Sequence, residues 1–557
     1  MEKSRLLSDN YPDMESTMVA ICAFILGATT HVLVLRNMEV EMILFQFILS
    51  LAFSLIGSFS AIQFYAESPT NTILSFLAAA SSFTCGLFVS MMIYRLWFHR
   101  IRRFPGPSLA KISRFYGLYL ASKATKYHHE LSDMHKQYGD FIRVGPRELC
   151  IVRKSAVLAI HGPQSKCRKT TWYSQVHTDP KKCSVHTTRD YNDHRQRRKA
   201  WDQGFSMKAL SIYEARIKLQ ADLFISKLSH GRGFNITEWS MLFAFDTMGE
   251  IAFGKNFGCL EREAEHPMIH GIRKHMETIG TISQVPWLIY LISRIPGATA
   301  EYSGFFRSCE TEIESKLQSW KHGKTPEDIV SWLLKAFIEK DKSAAPSKAA
   351  LHEDSRVLIV TGSDTTSGTL SAALYYLAKY PALQSKLQSQ IDSVMPRPDD
   401  WTYDKAKSID YIDDFINETL RLKPALLVGG PRVTPSGGIY VDEQYIPGDI
   451  NVITPIGELQ VDPRYWKLPH DFVPERFGDR KLELDTDDAP FFPFGLGPYA
   501  CPGRNILFMT IRIALSRIVQ EFNVVFAPGE DGTMFDTEAK EAFSTHYPAL
   551  RIRFIKR

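Results

Sequence analysis

Cys501 stands in FFPFGLGPYACPGRNIL, residues 491–507, between turns rich in proline and glycine and just ahead of an apolar run with helical spacing. A thiolate is a soft, anionic ligand suited to iron or zinc. With no second ligand nearby in the sequence, it suits a metal already held on its other sides, such as haem iron with one protein ligand. Gly495, Gly497 and Gly503 would let backbone approach a flat cofactor without Cβ clashes. A helix starting near Arg504 would point the positive end of its dipole at the sulfur and stabilise the thiolate. The competing reading of a bare cysteine is an inert, buried thiol.

Three further clusters could do chemistry. TGSDTTSG, residues 361–368, sets glycine, an acid and threonines inside a long helical pattern, where their propensity is poor. Such hydroxyls can bond back to helix carbonyls and open a groove, or mark a packing kink. Glu418 and Arg421, three apart, share a helix face and can pair; on a surface that pair would be worth only a few tenths of a kcal/mol. HRQRRKAW, residues 194–201, sets His194 and Arg198 four apart on one helix with Arg195 and Arg197 pointing elsewhere, and GGPRVTP supplies Arg432. These bases could form a solvated or nucleic-acid-binding face, or neutralise a buried anion.

The elements that must position these residues are mainly helices. Patterns near a period of 3.6 run over 208–228, 353–380 and 411–422. Strand-like runs are fewer: DFIRVGP and ELCIV near residue 145, and GGIYVDEQYIPGDINVITP over 437–455. The fold class is therefore mainly α with a minor β-sheet, continuous from residue 104 to 557. The 557 residues carry a net charge of only +5, which gives no sign of a nucleic-acid partner. The eight cysteines form no C-x-x-C pair and imply neither a zinc site nor a disulfide framework, so the main body belongs in a reducing compartment.

Before that body come three apolar stretches, 18–35, 42–65 and 73–94, each near the roughly 20 residues that span a bilayer as a helix. Residues 1–103 read as a membrane anchor of about three transmembrane helices; the second, with Gln46 and Gln63, could instead lie on the membrane surface. Arg36 and the Arg100–Arg103 cluster, against a connection near Glu67 without Lys or Arg, place the N-terminus across the membrane and the body in the cytosol. Pro105-Gly106-Pro107 cannot continue a helix and reads as a stiff hinge, or as a plain loop.

Phe494-Gly495-Leu496-Gly497-Pro498-Tyr499-Ala500-Cys501-Pro502-Gly503 resembles the haem-binding signature F-x-x-G-x-R-x-C-x-G of the cytochrome P-450 family, the haem-thiolate monooxygenases. It departs at Tyr499, where the family has an arginine that helps hold a haem propionate. TGSDTT resembles the family's oxygen-activation motif A/G-G-x-D/E-T-T, and Glu418 and Arg421 its E-x-x-R motif. FVPERF resembles its arginine-bearing meander, with Arg476 joining the Glu418–Arg421 network. All occur in the family's chain order.

The resemblance implies the cytochrome P-450 fold, with Cys501 as axial ligand of haem b. Asp364 and Thr365 would relay protons, and Phe494, Gly497, Tyr499 and Gly503 would contact the cofactor. His194, Arg198 and Arg432 would anchor propionates, His194 replacing the commoner tryptophan; Glu418, Arg421 and Arg476 would hold the fold. It further implies O2 as co-substrate, NADPH electrons through a separate membrane-bound reductase, and residence in the endoplasmic reticulum membrane facing the cytosol. No flavin or nicotinamide fingerprint occurs in the chain. The overall look is similar to fungal microsomal members that oxidise lipophilic secondary metabolites, terpenoid, polyketide or alkaloid. The 361 helix, the apolar Ala425–Val428 segment and the turn near Thr545 would wall the pocket. An isomerase or dehydratase that needs no reductase, and a catalytically silent haem-binding membrane protein, are the alternatives.

Overall fold

The computed structural model describes residues 14–557 apart from 66–68, 176, 178, 230–232, 294, 298–299 and 321–322. The charge-poor connection at Glu67 lies outside the described residues. The chain divides into two compact units: residues up to Arg114 with Gly145–Arg147, and Phe115–Val144 with Glu148–Arg557.

In the first unit, helices run over Met14–Leu33, Leu44–Tyr65 and Pro69–Ile93, close to the three expected stretches. Two, Leu44–Phe64 and Thr72–Phe98, are long and apolar enough to cross a membrane, whereas the first is a shorter apolar helix, Thr17–Leu33. The first and third helices touch backbone to backbone. A Cβ on Gly27 would fall 2.1 Å from the Phe83 carbonyl oxygen, and one on Gly86 2.0 Å from that of Phe24. Beside this crossing His31 Nδ1 lies 2.9 Å from Ser90 Oγ. Small residues allow such an approach, and dispersion between the two backbones holds it.

The second unit is built around one helix, Lys348–Lys379, whose 32 residues are almost all buried from Ala350 to Ala378. Ser347 caps it by accepting a bond from the Ala350 N–H. The helix runs unbroken through residues 361–368, so the awkward residues there do not interrupt it. Thr361 Oγ1 donates to the Val357 carbonyl at 2.7 Å and Thr365 Oγ1 to the Thr361 carbonyl at 2.7 Å, which satisfies both hydroxyls inside the helix. Gly362 serves a neighbour: a Cβ there would overlap Met248, from the end of the helix Ile236–Met248, at 1.8 Å. The expected helices 208–228 and 411–422 appear as Met207–Leu228 and Asp410–Leu422.

A five-stranded sheet takes the order Phe141–Arg143, Glu148–Ile151, Asn451–Ile453, Arg432–Val433, Arg168–Lys169, antiparallel except where Glu148–Ile151 runs parallel to Asn451–Ile453. Its register sets Lys169 directly opposite Arg432. A two-stranded hairpin, Lys540–Ala542 with Ser544–His546, packs against the long helix and against the helix Pro267–Ile282. A third sheet, Gly233–Asn235, Arg551–Lys556, Phe522–Phe526, closes the C-terminus.

The Glu418–Arg421–Arg476 cluster lies at the base of this unit, with all three side chains fully buried. Arg421 grips Glu418 with two bonds of 2.7 and 2.8 Å, and Arg476 Nε approaches both carboxylate oxygens at 3.1 Å. One carboxylate thus neutralises two guanidiniums, and carbonyl oxygens take the remaining donors. Arg421 reaches those of Gln460, Pro469 and Asp471; Arg476 reaches those of Lys467 and Leu468. The cluster ties the Asp410–Leu422 helix to a meander that has almost no regular structure of its own.

Candidate active site

The loop Phe494–Cys501 is closed by the Cys501 N–H, which donates to the Phe494 carbonyl at 2.8 Å. Gly495 and Gly497 take φ of +65° and +62°, which the tight turn requires of them. Gly497, expected to contact the cofactor, is not among the residues that line the cavity. A Cβ there would strike the His161 and Gly162 carbonyls at 2.6 and 2.7 Å, so its missing side chain serves packing of the loop. Gly503, whose added Cβ would make an ordinary 3.7 Å contact with Cys501 Sγ, immediately precedes the 18-residue helix Arg504–Glu521.

Cys501 opens onto an internal cavity of about 290 Å³. Removal from bulk water pushes its thiol up; the backbone N–H of Gly503, the charge of Arg198 and the N–H of Arg504 work in the opposite direction. These donors aim at the sulfur as the helix N-terminus was expected to. Phe494 and Gly503 line the cavity beside the cysteine, and Thr361, Asp364 and Thr365 line it from the long helix. Ala425, Leu426 and Phe543 add apolar wall. Of the expected segment 425–428, Leu427 faces a separate cleft together with Thr545, and Val428 joins a core cluster. Residues 425–428 form bends with no strand among them, so their side chains turn to different hollows in a way that an apolar run in sequence does not disclose.

One edge of the cavity is strongly basic. Lys169 and Arg432, paired across adjacent strands, are both buried, and no carboxylate pairs with either among the described residues. Like charges directly opposite each other destabilise a sheet unless an anion lies between them. Their cationic heads face the Tyr499 ring, Lys169 Nζ and the Arg432 guanidinium each 4.9 Å from its centroid. Lys169 donates to the carbonyls of Val185 at 3.1 Å and His186 at 2.6 Å, and Arg432 donates to Tyr173 Oη at 2.5 Å. Arg432 Nε and Tyr499 Oη are buried with no hydrogen-bond partner among the described residues. His194 packs edge-on against Tyr499 at 4.8 Å; burial first, then Lys169 and other nearby cations, lower it to about 2, so it stands there neutral. Arg198 donates to the Ala500 carbonyl and to Asp202, both at 2.7 Å, so it braces the cysteine loop while facing the cavity. Arg197 points away, as expected, and forms a buried pair with Asp354 at 2.7 Å.

A thiol beside an apolar chamber, with cations and unsatisfied donors along one edge, fits a flat group bearing a metal at its centre and carboxylates on its rim. The donor set suits haem. Lys169, the largest addition to the expected residues, was hidden because a lysine in a two-residue strand carries no sign of burial. The Tyr499 departure was visible, but its explanation, a ring shared by two cations, required their positions.

Asp364 and Thr365 both reach the cavity but do not bond to each other. Thr365 donates into its own helix, while Asp364 Oδ2 accepts from Ser544 Oγ and from His546 Nε2, the latter at 3.2 Å. Both partners come from the C-terminal hairpin. The sequence marked this turn only as pocket wall.

The profile of the cytochrome P450 family matches residues 105–554. A cytochrome P450 monooxygenase of Eupenicillium brefeldianum, orf5, is 39% identical over 475 residues, covering 85% of this chain and 94% of that one. The cytochrome P450 monooxygenase FCK2 of Fusarium pseudograminearum is 32% identical over 545 residues, 96% of this chain and 97% of that one. Tryprostatin B 6-hydroxylase of Aspergillus fumigatus is 31% identical over 470 residues, 83% and 82% of the two chains. The chain belongs to the cytochrome P450 family, mainly helical haem-thiolate monooxygenases that take O2, a small-molecule substrate and electrons from a redox partner.

Proposed function

We propose that this chain is a membrane-anchored monooxygenase that binds haem b through Cys501 and oxidises a lipophilic secondary metabolite, drawing electrons from NADPH through a separate reductase. The observation that carries this reading is the Cys501 thiol at the wall of a largely apolar cavity whose basic edge has no carboxylate partner among the described residues. Residues 1–103 act as the anchor, with the body from residue 104 in the cytosol at the endoplasmic reticulum membrane; the two membrane-length helices and the arginines at 100–103 support that placement.

Bound haem supplies an iron centre at which O2 is reduced with two electrons and two protons, one oxygen atom entering the substrate and the other leaving as water. The chain's residues do the rest. Cys501 holds the metal, and the N–H groups of Gly503 and Arg504 stabilise its negative charge. Lys169, Arg432 and neutral His194 hold the propionates, Arg198 fixes the loop that carries the cysteine, and Ala425, Leu426 and Phe543 exclude water from the substrate. Thr365 and Asp364 govern proton entry. The names of the matched relatives, among them two tryprostatin B 6-hydroxylases, support hydroxylation as the reaction type.

The test is reconstitution of the full chain with a P450 reductase and NADPH, measuring lipophilic candidates first by the substrate-induced shift of the Soret band and then by oxygenated product. A native chain that takes up haem but forms no oxygenated product with any ligand that shifts the band would overturn the reading. Thr365→Ala is expected to keep haem and substrate affinity but to divert most NADPH-derived electrons to hydrogen peroxide, measured as product per NADPH.

Tyr499→Arg tests the basic edge. It would bring a third cation against Lys169 and Arg432, where two charges ~4 Å apart repel by about 4 kcal/mol at an effective dielectric constant near 20. Because a bound propionate would relieve that repulsion, haem transfer to apomyoglobin is expected to slow on the order of tenfold for a net gain near 1.4 kcal/mol, and Lys169→Ala in the same chain is expected to reverse most of that change.

A further inference from the structure

The carboxylate of Asp364 is turned away from Thr365 and toward the C-terminal hairpin. One of its oxygens, Oδ2, accepts from both Ser544 and His546. Asp364 and Ser544 line the cavity, whereas His546 is not part of its wall and keeps 17% of its side chain exposed. Among the described residues nothing but Asp364 bonds to the imidazole. Three side chains from two elements thus run in file from the exterior to the chamber. A serine and a histidine two apart on one strand point to the same side, which is why the hairpin can present both to one carboxylate.

We propose that His546 is the external proton donor of this enzyme and that it works through Asp364, with the Ser544 hydroxyl as the outlet into the cavity. The inference rests on the monooxygenase reading above. The proton on His546 Nε2 passes to Asp364 Oδ2, leaving a neutral imidazole and a neutral carboxyl. Ser544 Oγ gives its own proton to an acceptor in the cavity and takes the one on Asp364, restoring the carboxylate. Water then reprotonates His546. One proton is delivered per cycle of the three groups and no electron moves; the electrons come from the redox partner.

The charges around the chain suit this direction. Burial works to lower His546, but the charge and hydrogen bond of Asp364 outweigh it; Glu277 adds to the rise and Arg273, on the same Pro267–Ile282 helix, opposes it. The net result is a histidine held above its ordinary 6.5. Burial works to raise Asp364, and His546, Ser544 and Arg273 together hold it below its ordinary value. Each group favours the charged form of the other, so below the raised histidine value the donor is loaded and the acceptor is empty.

The experiment compares the full-length native chain with His546→Gln, Ser544→Ala and Asp364→Asn, each first checked for a native reduced-carbon-monoxide difference spectrum. Product per NADPH is expected to fall at least fivefold in His546→Gln and Ser544→Ala, with peroxide rising to match, and substrate affinity is expected to be unchanged in His546→Gln, whose site lies outside the cavity wall. In the native chain this ratio should decline as pH rises past the raised histidine value, and in His546→Gln the decline should be absent. A second readout needs no turnover. The ion pair's contribution to Tm, native minus His546→Gln, should be present below pH 6.5 and vanish as pH rises through the folded histidine value. Native coupling in His546→Gln, with Thr365→Ala uncoupled, would overturn the hairpin route while leaving the function intact; a native chain without the carbon-monoxide spectrum would instead remove the function itself.

Discussion

Cys501→Ala is expected to abolish the thiolate-type Soret band of the reduced carbon-monoxide complex and to reduce monooxygenase turnover below detection, while the polypeptide stays folded. The two halves of that expectation have different causes. The thiol faces the cavity and is tucked into no apolar cluster, so removing one sulfur atom costs little packing. The loop is closed by the backbone of Cys501 and by Arg198 on the Ala500 carbonyl, and neither bond uses the side chain. Chemically no other thiolate replaces it: among the described residues Cys501 is the one cysteine that lines the cavity. Circular dichroism and thermal unfolding of the variant measure the first half, and the difference spectrum of dithionite-reduced membranes measures the second. A variant that retains the thiolate band would remove Cys501 from the iron.

Glu418→Gln is expected to act in the opposite way, by preventing recovery of folded, haem-loaded protein. The substitution keeps the shape of the side chain and removes its charge, leaving Arg421 and Arg476 fully buried without a counterion. Removing one partner of a buried ion pair costs about 3–5 kcal/mol, a large part of the roughly 5–15 kcal/mol that separates a folded domain from its unfolded chain. Two guanidiniums share this carboxylate, so the upper part of that range applies. The readouts are yield of the carbon-monoxide-binding form and the urea midpoint. Arg421→Lys is expected to be only partly tolerated, since an ammonium cannot reproduce the paired bonds to Glu418 and the three carbonyl contacts at once.

The opposite outcomes at Cys501 and Glu418 also mark what could be read from the chain before its fold was in view. Both belong to short motifs whose spacing carries their meaning, and the long helices followed from the 3.6-residue period. The C-terminal strand Arg551–Lys556 also carries an alternating signal, RIRFIK. Less could be read where function depends on which way a side chain turns. Asp364 and Thr365 are neighbours in sequence, yet one faces the hairpin and the other bonds within its helix. Leu426 and Leu427 are identical in type but line different hollows. Lys169 belongs to the site only because its strand pairs with that of Arg432, and pairing between segments some 260 residues apart leaves no local trace. Pro105-Gly106-Pro107, the expected hinge, lies inside the first unit, which runs to Arg114.

The pairing of Lys169 with Arg432 also bears on how much of this protein a cell can keep. Two basic groups face each other across adjacent strands in a buried sheet; burial and the charges of Arg432 and Arg197 hold the Lys169 ammonium well below its ordinary value, a strain that a bound dianion would relieve. Haem is in that sense a counterion the fold is waiting for. A ligand present at 100 times its dissociation constant adds about 2.7 kcal/mol to the stability of the form that binds it, and quality-control proteases draw on the population that lacks it. Iron supply would then set the steady-state abundance of the enzyme as well as its occupancy, and scarcity would show as missing polypeptide before it showed as an accumulated empty form.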